Sequence, residues 1–219
     1  MKKTTAGIII LVISILGFAC FLTLNSKLDK KEAKKEKEVP VYSIHADYNL
    51  NVDNPNEVVG GSDYVFVGKV TENTGTTYKD KTPLEQEDGS FKYVGEAFTN
   101  YKIKVLYNLK NELVTDKEIS LAKQGGIRED GSAYDIFEDD LLPEIGKVYI
   151  FNAYTQDDGS LLVSGANSTI SFDEKTHNID TQKELAKTEE VQKYENAVDN
   201  QILTEDNNLK SDFDVRQLQ

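Results

Sequence analysis

Side chains able to carry chemistry are few in this chain and gather in one short stretch. Glu129, Asp130, Asp135, Glu138, Asp139 and Asp140 all lie between positions 129 and 140. Carboxylates spaced this closely are hard-oxygen ligands suited to Ca²⁺, although their order fits no EF-hand loop. The competing reading is a solvated acidic loop. A two-carboxylate hydrolase is a further possibility, but 34 Asp and Glu follow residue 40, so abundance singles out no pair. His45 and His177 stand in non-regular segments without a matching Ser or Cys and read as surface histidines. No G-x-S-x-G, H-E-x-x-H, P-loop or dinucleotide fingerprint occurs. No catalytic residue and no cofactor is therefore expected, and the six acids are the only metal candidates.

Cysteine and charge narrow the classes further. The single cysteine, Cys20, sits inside an apolar run, which excludes an intramolecular disulfide and a thiolate metal site. With two His and no second Cys, zinc or haem by their usual ligand sets is not expected. Net charge is −13, but residues 1–40 carry eight Lys against four acids, which leaves −17 on the remainder. So acidic a surface repels phosphate backbones, and nucleic acid is set aside as a partner.

The elements that position these residues begin with Ala6 to Leu24 (AGIIILVISILGFACFLTL), nineteen residues without a charge. As a helix rising about 1.5 Å per residue, this stretch crosses most of a ~30 Å hydrocarbon core. Gly17 and Ala19 are small at the positions a signal peptidase requires before Cys20. Phe18, however, is bulky where a lipobox takes a small residue, and Leu16 stands one place too early. Apolar character also continues through Phe21, Leu22 and Leu24. The expectation is an uncleaved single-pass anchor in the cell membrane, with Cys20 facing lipid. The six Lys that follow within about 15 residues argue for a cytoplasmic domain by the positive-inside rule. The charged-then-apolar order of an export signal, and an Asn-, Thr-, Gly- and Tyr-rich domain without cysteine, argue for an extracytoplasmic one, which is the preferred expectation.

Five segments follow: an anchor (1–24), a charged stalk (25–40), a β-barrel domain (41–172), a C-terminal helical region (173–203) and a loose polar tail (204–219). In the barrel domain, Val41 to Val52 reads as a strand or extended arm. Asn54-Pro55-Asn56-Glu57 reads as a helix start that Gly60-Gly61 stops. Tyr64 to Val67 is apolar on both faces, as in a strand covered on both sides, and Gly68 marks a bulge. Glu72 to Glu96 is expected to be a long polar loop with a short strand at Phe91 to Val94. Loops of that length are commonly functional or disordered, so this one is a candidate binding surface, with the ordinary variability of surface loops an equal alternative. Tyr101, Ile103, Val105, Tyr107 and Leu109 alternate with mostly polar residues as one strand face. Glu118 to Lys123, Lys147 to Tyr154, Leu161 to Ser164 and Ser168 to Phe172 complete the strands, with Ile127 to Asp140 an acidic loop. From the capping box Thr181-Gln182-Lys183-Glu184, a helix of about 18 residues with Leu185, Val191, Tyr194 and Val198 on one face is expected to lid the barrel, the alternative being that this thin apolar stripe faces a partner.

Short strands with turn punctuation predict a mainly β fold, a small antiparallel barrel with a C-terminal helix. The order Tyr64–Val70 (YVFVGKV), a long loop, Tyr101–Leu106 (YKIKVL), Lys110 in a turn, Gly125-Gly126, then Ile145-Gly146-Lys147 leading into Val148-Tyr149-Ile150-Phe151 resembles a known pattern. It is that of the netrin/tissue-inhibitor-of-metalloproteinase-like OB-barrel domains and of uncharacterised surface proteins of Gram-positive bacteria that share it. The resemblance spans about residues 60–165 and implies an OB-like barrel. The inhibitors' N-terminal cysteine has no equivalent here, so their mechanism carries over to no residue. The functional expectation is a membrane-anchored, extracytoplasmic, non-catalytic module that binds an envelope or secreted protein. Its alternatives are an envelope enzyme or Ca²⁺-binding protein using residues 129–140, and a membrane-tethered cytoplasmic regulator.

Overall fold

The computed structural model describes residues 39–203 and 209–217. The anchor at Ala6 to Leu24 and nearly all of the stalk lie outside the described residues. Among those described, no helix is long and apolar enough to cross a membrane. Residues Val39–Gln219 form one compact unit.

The chain is mainly β. Its strands are β1 (Val41–Ile44), β2 (Tyr64–Glu85), β3 (Phe91–Lys110), β4 (Glu118–Gln124), β5 (Gly126–Ile127), β6 (Tyr134–Phe137), β7 (Val148–Thr155), β8 (Leu161–Val163) and β9 (Thr169–Ser171). The helices are α1 (Pro55–Gly61), α2 (Gln182–Leu185) and α3 (Glu189–Asp199). Six strands form one sheet in the order β2-β3-β4-β8-β7-β9, and β2 also pairs with β7, which turns the sheet back on itself. Every pairing in it is antiparallel except β4–β8.

Alternation along β2 and β7 explains the two apolar layers. Tyr64, Phe66, Tyr149 and Phe151 point into the enclosed core with Tyr101, Ile103, Ile119 and Leu161. Their neighbours Val65, Val67, Val148 and Ile150 point outward and are covered by Val59 of α1, Leu185 of α2, and Val191, Tyr194 and Ala197 of α3. A strand apolar on both faces is thus buried on both, as the sequence of β2 requires.

The expected single face of Tyr101 to Leu109 is split. Tyr101, Ile103 and Val105 belong to the enclosed core, whereas Tyr107 and Leu109 pack against the outer, helix-covered layer. The register of β2 on β3 slips between Val67 and Gly68. One extra residue exchanges the two faces of the strand beyond it. At Gly68 an added Cβ would stand 2.5 Å from Ile103 Cγ2 and 3.2 Å from both Phe66 and Phe151 rings. Gly68→Ala is therefore expected to lose about 1–3 kcal/mol by overpacking, read as a lower denaturant midpoint at unchanged slope.

The C-terminal helix differs from expectation. It is broken into α2 and α3 because Thr188 caps the second, its hydroxyl accepting from Val191 N at 3.4 Å and donating to Leu185 O at 2.8 Å. Thr181 does hold the N-cap position of α2, but its hydroxyl binds the Glu184 carboxylate at 2.6 Å instead of a backbone amide. The helices lie against the outer face of β2 and β7. By contrast, α1 forms as read: Asn54 accepts from Asn56 N, and Pro55 opens the helix.

The tail is ordered over residues 209–217. Ser211 and Asp214 are fully buried. Val114 N donates to Phe213 O at 3.0 Å, and Val215 N donates to Glu112 O at 3.1 Å. Phe213 and Val215 pack against the enclosed core. A polar-looking segment is fastened by backbone pairing and one buried carboxylate, neither of which leaves an apolar periodicity to read.

Candidate functional site

The expected loop at Glu72 to Glu96 is a two-stranded ribbon. β2 pairs with β7 only from Tyr64 to Lys69, and β3 with β4 only from Thr99 to Lys104. The β2–β3 pairing itself continues to Glu85↔Phe91. The ribbon turns at residues 86–90, where Gln86 N donates to Ser90 O at 2.7 Å and Gly89 takes φ +79°. Asp88 Oδ1 accepts from both Ser90 N and Ser90 Oγ, and these bonds hold its carboxyl below the ordinary range. Solvent on both faces removes the alternation by which a strand is recognised, and slips at Asn73/Gly75 and Lys79/Thr82 interrupt what remains.

Apolar side chains crowd the far end of this ribbon. Phe91 is 62% exposed, Tyr93 61% and Leu84 55%. Pro83 pairs with Tyr93 across the strands, so both lie on one face with Phe91, while Leu84 and Val94 lie on the other. At the ribbon's root a groove of about 330 Å³ is lined by Ile44, Thr82, Val94, Ala97, Gln124 and Asp135.

The acidic stretch is not a loop throughout. Gly126–Ile127 and Tyr134–Phe137 are β5 and β6, which with β1 form a second sheet, β1–β6 in parallel and β5–β6 antiparallel. That pairing spreads the six carboxylates apart. Glu129 binds Lys81 at 2.8 Å and Asp130 binds Lys92 at 3.0 Å, both cations coming from the ribbon. Arg128 grips Asp135 bidentately at 2.8 and 2.7 Å and lies 4.7 Å from the Tyr42 ring centroid. Glu138 meets His45 at 2.7 Å, and Asp139 is exposed, with its backbone carbonyl accepting from Asn167 N. Hydrogen bonds from Ser132 and Lys92 hold Asp130 well below the usual carboxylate range. Among the described residues no three His, Cys, Asp or Glu converge in a way that could hold a metal ion. His177 accepts from Val148 N at 3.0 Å and so anchors the start of β7.

Asp140 alone turns inward. Its side chain and that of Lys123 are both 0% exposed and in direct contact. Lys123 Nζ also donates to Ser168 Oγ at 2.7 Å, and Ser168 Oγ donates to Asp140 Oδ2 at 2.7 Å. Thr169 N donates to Asp140 Oδ1 at 3.2 Å. Burial pushes the Lys123 amine down from its ordinary value, and the neighbouring carboxylate opposes that shift only in part. Reading for motifs missed this centre because its members are 28 and 17 residues apart and match no fingerprint. A signal was present: in Ile119-x-Leu121-x-Lys123 the lysine occupies the third inward position of a strand whose first two are core residues.

The chain matches no protein-family model and no curated relative.

Proposed function

We propose that this chain is a non-catalytic binding module built on an OB-like barrel, held at a membrane by Ala6 to Leu24, and that the β2–β3 ribbon is its binding element. Support for the barrel type comes from the ring β2-β3-β4-β8-β7 with its single parallel pair, β4–β8, an order compatible with a Greek-key barrel of five strands.

The observation that carries the binding role is the ribbon's end. Three large apolar side chains stand in solvent there, at a position where no described part of the chain covers them. Exposed aromatic residues gain most from desolvation against a partner. The outer edges of the ribbon beyond Val70 and before Ala97 also have no partner strand among the described residues, which suits addition of an extended segment by backbone pairing. The partner that fits is an envelope or secreted protein offering an extended apolar stretch.

The test is capture by the wild-type chain against Phe91→Ser/Tyr93→Ser. Both residues are exposed, so the variant is expected to keep its unfolding midpoint and lose at least tenfold in partner affinity, equivalent to about 1.4 kcal/mol. Retained capture by the variant would reject the ribbon as the binding element. An alkaline phosphatase fusion after residue 219, active only outside the cytoplasm, tests the orientation: an inactive fusion places the domain inside and rejects an envelope partner.

A further inference from the structure

The geometry around Lys123 points to a covalent modification site: we propose that Lys123 and Asp140 condense into an intramolecular isopeptide bond. The two side chains touch, neither has solvent exposure, and they lie on separate segments, β4 and the chain leaving β6. A charged pair excluded from water has an accessible neutral form, amine beside carboxylic acid, reached by moving one proton between the partners. The amine of that form is a nucleophile already in contact with the carboxyl group it would attack. Fixed contact of this kind replaces a bimolecular encounter and corresponds to effective concentrations on the order of 10⁵ M or more.

The surrounding groups supply what the step needs. Ser168 Oγ accepts from Lys123 Nζ and donates to Asp140 Oδ2, both at 2.7 Å, so its hydroxyl is placed to pass a proton from the nitrogen to the departing oxygen. Thr169 N donates to the other oxygen, Oδ1, where negative charge develops in the tetrahedral intermediate. The Nζ–Cγ bond forms and the Cγ–Oδ2 bond breaks. Oδ2 leaves as water carrying the two protons delivered by the amine. No oxidant, reductant or cofactor enters the balance. Exclusion of solvent from the site opposes hydrolysis of the product, an amide that retains the Thr169 N bond to Oδ1.

The product would close residues 123–140 into a ring and fasten the small β1-β6-β5 sheet to the barrel strand β4. The experiment is tryptic mapping with mass analysis of the purified full-length chain. The expected result is a branched peptide joining residues 118–128, uncut at Lys123, to residues 129–147, lighter than the two together by one water. Fragmentation should place the branch between Lys123 and Asp140, and Lys123→Arg should abolish it. Ser168→Ala should lower the branched fraction in chains of equal age. Cleavage after Lys123 with residues 129–147 at full linear mass would overturn the proposal, as would a branch that maps to Glu138 or Asp139. The wild-type map decides the matter even if the Lys123→Arg chain fails to fold.

Discussion

Replacing Asp214 with Ala is expected to cost about 2–4 kcal/mol of stability, the combined loss of buried charge-assisted hydrogen bonds and of a partly buried ion pair. Asp214 is 0% exposed and accepts from Tyr64 Oη at 2.5 Å, from Arg216 Nε at 2.8 Å and from Arg216 N at 2.9 Å. Tyr64 is itself buried in the enclosed core, so without Asp214 its hydroxyl loses its acceptor where water cannot replace it. Asp214→Asn keeps an acceptor and should lose less. Chemical denaturation of the three chains measures the order, and equal stability of wild type and Asp214→Ala would show that residues 209–217 do not fasten the barrel. The pH dependence has a fixed sign. The Arg216 guanidinium holds the Asp214 carboxyl well below its ordinary value of 3.8. A depressed carboxyl stabilises the fold above the unfolded value and loses that contribution as pH falls through the folded one. The gap between wild type and Asp214→Asn should therefore be constant above about pH 5 and shrink below about pH 4.

The same residues show what the sequence could and could not reveal. The barrel strands were legible because burying one or both faces writes period-2 or continuous apolar runs into β2, β4 and β7. The ribbon was not, since a two-stranded element wetted on both faces has no alternation to display. Nor was the face change in β3, because a slip at Gly68 shows only when the partner strand is known. The six acidic residues were visible as a cluster in sequence, but the β5–β6 pairing puts them before, within and after β6, and cations from the ribbon, β4 and Arg128 bind four of them singly. Asp140 and Asp214 stand apart from the other acids through burial against distant residues, Lys123 and Ser168 for the one and Tyr64 for the other. Tertiary pairing of that kind leaves no local pattern.

Raising the pH should unfold the chain between about pH 10 and 12, through tyrosines that the fold keeps protonated. Burial pushes the Tyr64 phenol up to about 12, with the Asp214 carboxylate adding to the rise, and pushes Tyr194 up to about 12. Tyr101, Tyr149 and Tyr154 are raised by burial as well. A phenol whose folded value exceeds its unfolded value of 10.0 contributes stability that is complete below pH 10 and is lost as pH climbs to the folded value. Each unit is worth about 1 kcal/mol, so a rise of this size contributes a few kcal/mol per group. Tyr64 and Tyr194 together thus account for an amount on the order of 5 kcal/mol, the lower end of a typical domain's whole stability. Ionisation of the buried phenols should then coincide with cooperative loss of the β-sheet circular dichroism signal. Tyr194→Phe, which removes one of these phenols, should move the alkaline midpoint upward although it costs about 1 kcal/mol at neutral pH. Gradual tyrosinate formation with the sheet signal intact to pH 12 would mean that these rings are reached by water in the folded state. Tyr64 and Asp214 set the two ends of the range: their hydrogen bond needs a protonated phenol and an ionised carboxylate, so the stability it contributes is complete from about pH 4 to about pH 10 and declines on either side, towards the folded values of the two groups.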